Sequence, residues 1–235
     1  MDTGVSQDLT ALTAAVRDLP PALRLRIAEG WLDAALDEHA SIAAFSRFSL
    51  HLLAVGAPPE LLAGAHQAAL DEIGHARVCF DIAGVYAGEA VGPGPLVIPP
   101  DLLGPLDLGS IAAAAVAEGC VGETIAALEA RTLARLAAPP AVQETLRRIA
   151  DEEQQHASLS WRFAGWALSA GGEEVRAAMK RAFADTADAD AGPAPTPSEL
   201  DDTLHSHGLA SPTLRHNTRT AALADVIQPA REALF

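Results

Sequence analysis

Two proline pairs, Pro58-Pro59 and Pro139-Pro140, constrain the fold of this chain more than any other sequence feature. Each pair stands between two long runs in which apolar residues recur with the period of an amphipathic helix. A proline cannot continue a helix, but it is tolerated in the first turn of the next one. Each pair therefore predicts a short connection between antiparallel helices, so we expect one helical hairpin over 22–87 and a second over 110–170.

The two predicted hairpins are separated by the segment 89–109, which is too rich in proline and glycine for regular structure. A loop of this length is uncommon inside a compact domain without a purpose, and a crossover along a helix bundle would be one. Ser110 is placed to cap the helix that follows. Alanine and leucine are abundant and aromatic residues make up only 4% of the chain, which favours an all-α fold.

We expect one main domain with helical appendages. The predicted parts are an N-terminal helical segment over 1–20, a four-helix bundle over 21–171, an additional helix over 172–189, a linker over 190–200 and a C-terminal helical tail over 201–235. Proline and small polar residues in the linker cannot bury enough surface to order it strongly. The tail is weakly amphipathic, so its helices should dock on the bundle or on a second subunit, and a homodimer is one expected assembly.

The charge and the cysteines exclude several classes of function. The chain carries 16 basic and 31 acidic residues, a net charge of −15, which repels nucleic acid and anionic membranes. No window approaches the roughly 18 uninterrupted apolar residues of a membrane span, and the first residues do not resemble a signal peptide. We therefore expect a soluble, cytoplasmic protein. Cys79 and Cys120 form no CxxC pair, so we expect neither a disulfide framework nor a rubredoxin-type iron site.

The motif Glu-x-x-His occurs once in the second and once in the fourth predicted long helix. It comprises Glu72 and His75 in one helix and Glu153 and His156 in the other. Residues at i and i+3 are neighbours on one face of a helix. The apolar residues of both helices fall on that same face, so both motifs point into the core. Charged groups are costly there unless they are paired or bind a metal.

The first and third predicted long helices each offer an inward-facing carboxylate. Glu38 is in phase with Trp31 in the first helix. In the third helix Glu118 is in phase with Ile111, whereas Glu123 lies roughly 140° away by the 3.6-residue period. The spacing of the two hairpins also favours Glu118. Both glutamates nevertheless lie on the inner half of the helix, so Glu123 remains an alternative.

One glutamate from each of two helices, with Glu-x-x-His from each of two others, is the ligand set of ferritin-like di-iron and di-manganese bundles. The order hairpin, crossover, hairpin over about 31–166 is similar as well. The chain therefore resembles the ferritin-like di-iron carboxylate superfamily, which implies a four-helix bundle with a long crossover between helices 2 and 3, and two iron or manganese ions. The metal ligands that the resemblance implies are Glu38, Glu72, His75, Glu118 or Glu123, Glu153 and His156.

The resemblance also implies carboxylates that orient the histidine ligands. Asp71 and Asp151, beside the two motifs, resemble the acids that accept the outer histidine N–H in such proteins, although each could equally be a surface acid. His39 follows Glu38 on the inner half of its helix. It is expected to be either a further nitrogen ligand or a group that orients one.

Two functions fit the resemblance. The first is an oxidoreductase that uses O2 or peroxide to oxidise a small organic substrate, with an external electron donor because the chain has no cysteine cluster. The second is a ferroxidase or iron-binding protein without an organic substrate. The proline-rich crossover and the long C-terminal part differ from the compact subunits of cage ferritins, which favours the first function. Tyr86 lies about three helical turns beyond His75, too far for the radical tyrosine of a ribonucleotide reductase small subunit.

Overall fold

A computed structural model describes residues 3–188 and 193–235, with side chains for 9–187 and 193–235. Every regular element within these residues is helical, which confirms the all-α class. The start of the predicted N-terminal segment and the predicted junction between the additional helix and the linker, at 189–190, lie outside the described residues.

The first hairpin forms where the proline pair predicts it. A short helix, α1 (Thr3–Ala15), precedes the two long helices α2 (Pro21–Ala54) and α3 (Pro59–Ala87). Both long helices begin with a proline, whose missing N–H has no partner to lose in a first turn. The short connection between them makes α2 and α3 antiparallel neighbours that pack along their length.

The second hairpin contains a helix that changes its winding. It starts as α4 (Leu108–Ala115), continues as a π-helical segment (Val116–Glu123) and ends as α5 (Thr124–Leu136). The start of α4 corrects the predicted cap: Asp107, not Ser110, is the capping residue, and its carboxylate accepts the Ser110 N–H at 2.9 Å.

The return helix of the second hairpin, α6 (Pro140–Asp188), is the longest in the chain. Its backbone leaves the helical conformation at Gly172, with φ 65° and ψ −149°. Only glycine adopts this conformation without strain, so Gly172 separates the part of α6 that belongs to the hairpin from the additional helix beyond it.

The two hairpins pack together through α3 and α6. Two apolar clusters fill the space between the helices, one containing Trp31 and Tyr86 and the other containing Leu52 and Phe163. Residues 72–75 of α3 and 153–156 of α6 lie between the two clusters. A layer of charged side chains therefore crosses the middle of the apolar core.

The crossover between the hairpins, 89–107, contains no helix. The His51 Nε2–H donates to the Leu103 carbonyl at 2.7 Å, which attaches the crossover to α2. This bond lies near the end of α2 that is far from α1, so the crossover passes from the end of α3 towards the opposite end of the hairpin.

The C-terminal tail forms α7 (Asp201–Ser206), α8 (Pro212–Ala222), a π-helical turn (Leu223–Ile227) and α9 (Gln228–Leu234). It docks on its own chain. The Trp31 Nε1–H donates to the His207 carbonyl at 3.1 Å, and the Tyr86 hydroxyl donates to His207 Nδ1 at 2.9 Å. Burial raises the pKa of Tyr86 and lowers the pKa of His207, so the tyrosine remains a donor and the imidazole an acceptor.

One helix among the described residues is long and apolar enough to cross a membrane when only length and composition are considered. It spans Leu108–Leu136, and its most apolar window has a mean hydropathy of 1.5. The helix has no run of 18 uninterrupted apolar residues, because Glu118 and Glu123 interrupt it. Within that window 50% of the residues are buried in the chain, as in the core helix of a soluble protein, so it is weak support for a membrane span.

Candidate metal centre

Six acidic and histidine side chains from both hairpins meet in the charged layer. They form two groups, each with ligand atoms within 4.8 Å of one another, and each group could hold a metal ion. Glu72 and Glu153 belong to both groups. The first group adds Glu38 and His75, and the second adds Glu123 and His156. Four different helical segments supply these side chains, so the cluster exists only when the hairpins are packed together.

Both histidines present the same ring nitrogen to the cluster. His75 Nδ1 lies 3.6 Å from oxygens of Glu38 and Glu72 and 3.4 Å from Glu153. His156 Nδ1 lies 3.2 Å from Glu72 and 3.0 Å from Glu153. The Nδ1 lone pair of a neutral imidazole would therefore face the centre of each group.

The outer nitrogen of each histidine is held by an acid from the opposite hairpin. The His75 Nε2–H donates to Glu152 at 2.7 Å, and the His156 Nε2–H donates to Asp71 at 3.3 Å. A carboxylate in this position fixes both the tautomer and the orientation of a metal-binding histidine. The Phe45 and His156 rings pack edge to face, with centroids 4.9 Å apart, and this contact limits the rotation of the imidazole further.

Two buried atoms of the cluster show that protein groups alone do not complete it. Glu72 Oε2 and His75 Nδ1 have no hydrogen-bond partner among the described residues. A buried polar atom without a partner costs about 1–3 kcal/mol. Carboxylate oxygen and imidazole nitrogen together suit divalent iron and manganese, so a cation between these atoms would satisfy them. The residues present therefore fit a metal site.

The four glutamates of the cluster divide into two ionised and two neutral side chains. Burial raises the pKa of Glu38 to about 8, and burial with the neighbouring carboxylates raises the pKa of Glu123 well above its ordinary value. Burial also acts to raise the pKa values of Glu72 and Glu153. The hydrogen-bonding contacts with His156 and the attraction of nearby His75 outweigh it, so both of these pKa values are lowered.

The histidines carry the balancing charge when no metal is bound. Burial acts to lower their pKa values, but the carboxylates that surround each imidazole outweigh it. The pKa of His156 rises to about 10, and the pKa of His75 rises further. Two imidazolium ions then balance two carboxylates. Two divalent cations would balance four carboxylates equally well, so the cluster exchanges protons for cations with little net charge left in the core.

The structure reverses the predicted order of Glu118 and Glu123. The Glu118 side chain is 54% exposed and forms an ion pair with Arg47, whereas Glu123 lies in the cluster. The cause is the π-helical segment Val116–Glu123. Its i to i+5 hydrogen bonds accommodate an extra residue, so a 3.6-residue period continued across it is wrong by about 100°. Two glycines inside a helical pattern, Gly119 and Gly122, were the sequence signal of this irregularity.

One of the two predicted outer acids is also wrong. Asp71 bonds to His156, but the Asp151 side chain is 76% exposed and lies 3.4 Å from Arg131. Glu152 takes the predicted role of Asp151. The sequence contained the necessary signal, because Glu152 directly precedes its motif glutamate as Asp71 precedes Glu72.

His39 is not brought into the cluster. Its side chain is partly exposed and has no hydrogen bond or ion pair with another residue of the described chain. Neither predicted role, as a further nitrogen ligand or as a group that orients one, is therefore visible in this arrangement.

Two cavities reach the cluster. The larger one, about 140 Å³, is bordered by Glu38 and Glu153, and the smaller one, about 40 Å³, is bordered by Glu123. Both are lined mainly by apolar side chains. The cluster is thus reachable by small molecules although most of its members are buried.

No protein-family model, curated protein or solved structure matches this chain. The chemistry of the site therefore rests on its geometry.

Proposed function

We propose that this chain is a ferritin-like di-iron carboxylate protein that binds two iron ions, or two manganese ions, between its hairpins. The observation that carries the proposal is that the two ligand groups share Glu72 and Glu153. A carboxylate that bridges two cations offsets their mutual repulsion and lets them lie close together. Each metal would then have its own histidine and its own further glutamate, His75 with Glu38 and His156 with Glu123.

We propose further that the protein is an oxidoreductase acting on a small organic substrate. When bound, a pair of redox-active metals supplies two electrons to O2 or peroxide. The chain's own residues would bind and orient the metals: Glu152 and Asp71 retain the Nε2 protons of the histidines and so keep Nδ1 available as the ligand. Cys79 and Cys120 are buried, separate thiols, so electrons would come from an external donor.

A ferroxidase or iron-handling protein is the alternative. The apolar lining of the larger cavity supports an organic substrate instead, because an iron ion travelling to the cluster would gain nothing from apolar walls. An iron-transporting path would be expected to have unpaired carboxylates along its length, whereas Glu129, the one carboxylate of this cavity outside the cluster, lies 3.7 Å from Arg215.

Metal analysis and one oxidation experiment test this proposal. Protein produced with iron available should contain about two iron or manganese ions per chain, because six ligands from two groups exceed what one ion uses. Glu153→Ala should abolish binding, while Glu118→Ala should retain it. Zinc alone, at one ion per chain, would contradict the two-metal assignment.

The oxidation experiment separates the two functions. The reduced protein should react once with O2 and then stop until a reductant or substrate is added. Continued oxidation of added Fe(II), with iron accumulating far beyond two per chain in a large assembly, would show iron storage instead. Size-exclusion chromatography during iron titration distinguishes these outcomes.

A further inference from the structure

The larger cavity, which we call the tail cavity, lies between the two hairpins and the C-terminal tail. Its volume is about 140 Å³, and it extends from Glu38 and Glu153 to Glu129 and Arg215. Most of its wall is apolar, formed by Trp31, Leu133, Leu146, Ile149 and Leu209 with several alanines. An apolar space that opens directly onto a candidate metal cluster is where a molecule oxidised by that cluster would lie.

We propose that the tail cavity binds the substrate, and that the substrate is a neutral molecule with an apolar body about the size of a benzene ring and one hydrogen-bond donor. Only the role of this molecule as a substrate rests on the proposed function, since its binding requires no redox step.

The volume sets the size of this molecule. A cavity of about 150 Å³ lined by apolar side chains is large enough to bind benzene, which is close to the size of the tail cavity. The cavity beside Glu123 is much smaller, about 40 Å³, which is room for about three waters at about 10–15 Å³ each. The two cavities therefore differ in what they can hold, although both border the cluster.

The polar groups of the wall set the charge of the molecule. Three are carboxylates, Glu38, Glu129 and Glu153, and the single guanidinium, Arg215, already lies 3.7 Å from Glu129. Glu129 and Arg215 balance each other, so an anion would lose its hydration there without meeting an unpaired cation. Glu38 and Glu153 would be occupied by metal, which leaves Glu129 as the acceptor for a substrate hydroxyl or amine.

The C-terminal tail forms one wall of the cavity. Gly208, Leu209 and Ala210 form part of its wall. Leu209 lies against Gly30 of α2 so closely that a Cβ at Gly30 would be 2.6 Å from Leu209 Cδ1. The close approach explains a glycine in the middle of a long helix, where alanine would be about 1 kcal/mol more favourable. The tail is thus part of the binding site.

Three probes with the same ring test the proposal: phenol, benzene and benzoate. Each is titrated into the protein as isolated and into the metal-free protein, and binding is followed by calorimetry and ligand-detected NMR. We expect one phenol per chain, weaker binding of benzene and no binding of benzoate. Because the readout is binding, it does not depend on activity of the metal centre.

Two matched variants locate the binding site. Ala34 and Ala44 are both half-buried residues of α2, but Ala34 lines the tail cavity and Ala44 the smaller one. Ala34→Leu should weaken phenol binding by at least about tenfold, whereas Ala44→Leu should leave it unchanged. If circular dichroism shows that Ala34→Leu is unfolded, Leu209→Ala provides a second test, since it should enlarge the cavity and admit naphthol.

Equal phenol binding by Ala34→Leu and the unmodified protein would overturn the proposed location, and benzoate binding as tight as that of phenol would overturn the proposed class. A protein that binds two metals but none of the probes keeps the proposed function and loses this inference. A protein that binds phenol through the Ala34 site but holds no metal keeps the binding site and loses the redox function.

Discussion

The two hairpins supply equivalent sets of side chains through different backbones. The first provides Glu38 from the regular helix α2 and the pair Glu72 and His75 from α3. The second provides the same set, but its single glutamate, Glu123, comes from the end of a π-helical segment. The two hairpins thus place equivalent side chains with different helix geometries. The positions of the side-chain atoms in the cluster are therefore more constrained than the winding of the helices that carry them.

The hairpins also depend on each other. Each histidine bonds to an acid of the opposite hairpin, and each hairpin contributes one of the two glutamates shared by both ligand groups. Neither hairpin has a complete ligand set alone. We therefore expect substitutions at equivalent ligand positions of the two hairpins to have similar effects, and the following five experiments test this comparison and the charge layer that the hairpins share.

Removal of either shared glutamate should have the largest effect. Glu72→Ala and Glu153→Ala should each lose nearly all bound metal, because each substitution removes a ligand from both groups. Glu38→Ala and Glu123→Ala should retain more metal, because each affects one group only. Metal per chain by mass spectrometry is the measurement, with Glu118→Ala as the unaffected control. Marked differences between Glu72→Ala and Glu153→Ala would break the symmetry.

Metal binding should release about four protons at pH 7, two from neutral glutamates and two from imidazolium ions, half of them from each hairpin. The affinity for the metal pair should then rise about 10⁴-fold per pH unit near neutrality. Calorimetry in buffers of different ionisation enthalpy counts the protons. Glu38→Gln and Glu123→Gln should each lower the count by about one. A count near zero would show that the metal-free cluster is already fully ionised.

The free energy of unfolding of the metal-free protein should fall as pH rises, whereas the metal affinity rises. Glu38, with a pKa of about 8, and His156, with a pKa of about 10, hold protons in the folded state that the unfolded chain releases at lower pH. Stability therefore falls as pH rises from about 4.5 to 10, since the folded state binds more protons there. Urea denaturation of chelator-treated protein across this range measures the trend.

The outer acids should have intermediate effects. Asp71→Asn and Glu152→Gln should each lower metal affinity about 10- to 100-fold, because the histidine loses the carboxylate that fixes its tautomer and orientation. Asp151→Asn is the matched control beside Glu152 and should change nothing, since its side chain faces solvent. Competition with a chromogenic chelator gives the affinities. An effect of Asp151→Asn as large as that of Glu152→Gln would contradict the observed contacts.

The smallest effects are expected from alanine substitutions at two glycines, one in the π-helical segment and one in the regular helix α3. A Cβ at Gly119, in the π-helical segment, would overlap the Ser160 side chain, whereas a Cβ at Gly74, beside His75, would meet no atom within 4 Å. Gly119→Ala should lower the free energy of unfolding by about 1–3 kcal/mol through overpacking. Gly74→Ala should raise it by up to about 1 kcal/mol. Denaturation of both metal-free variants tests the contrast, and equal effects would argue against the close approach at Gly119.

Most of the cluster was predictable because most of its helices are regular. Glu38 and the two Glu-x-x-His motifs lie on undistorted α-helices, where the 3.6-residue period assigns each side chain to a face. The period failed for Glu123, because the winding of that helix changes just before it. The choice of Asp151 instead of Glu152 was a different kind of error. The helical period does not explain it, because the equivalence of Glu152 to Asp71 was visible in the sequence.

The sequence by itself determined the features that depend on a few neighbouring residues: helix boundaries at prolines and glycines, and the faces of regular helices. These follow from local sterics and periodicity, which require no knowledge of distant residues. Only the tertiary structure decided which outer acid meets which histidine, where the π-helical segment places Glu123 and how Leu209 packs on Gly30 in the wall of the tail cavity. Each of these depends on contacts between residues far apart in the chain, and such contacts form only when the hairpins and the tail pack together.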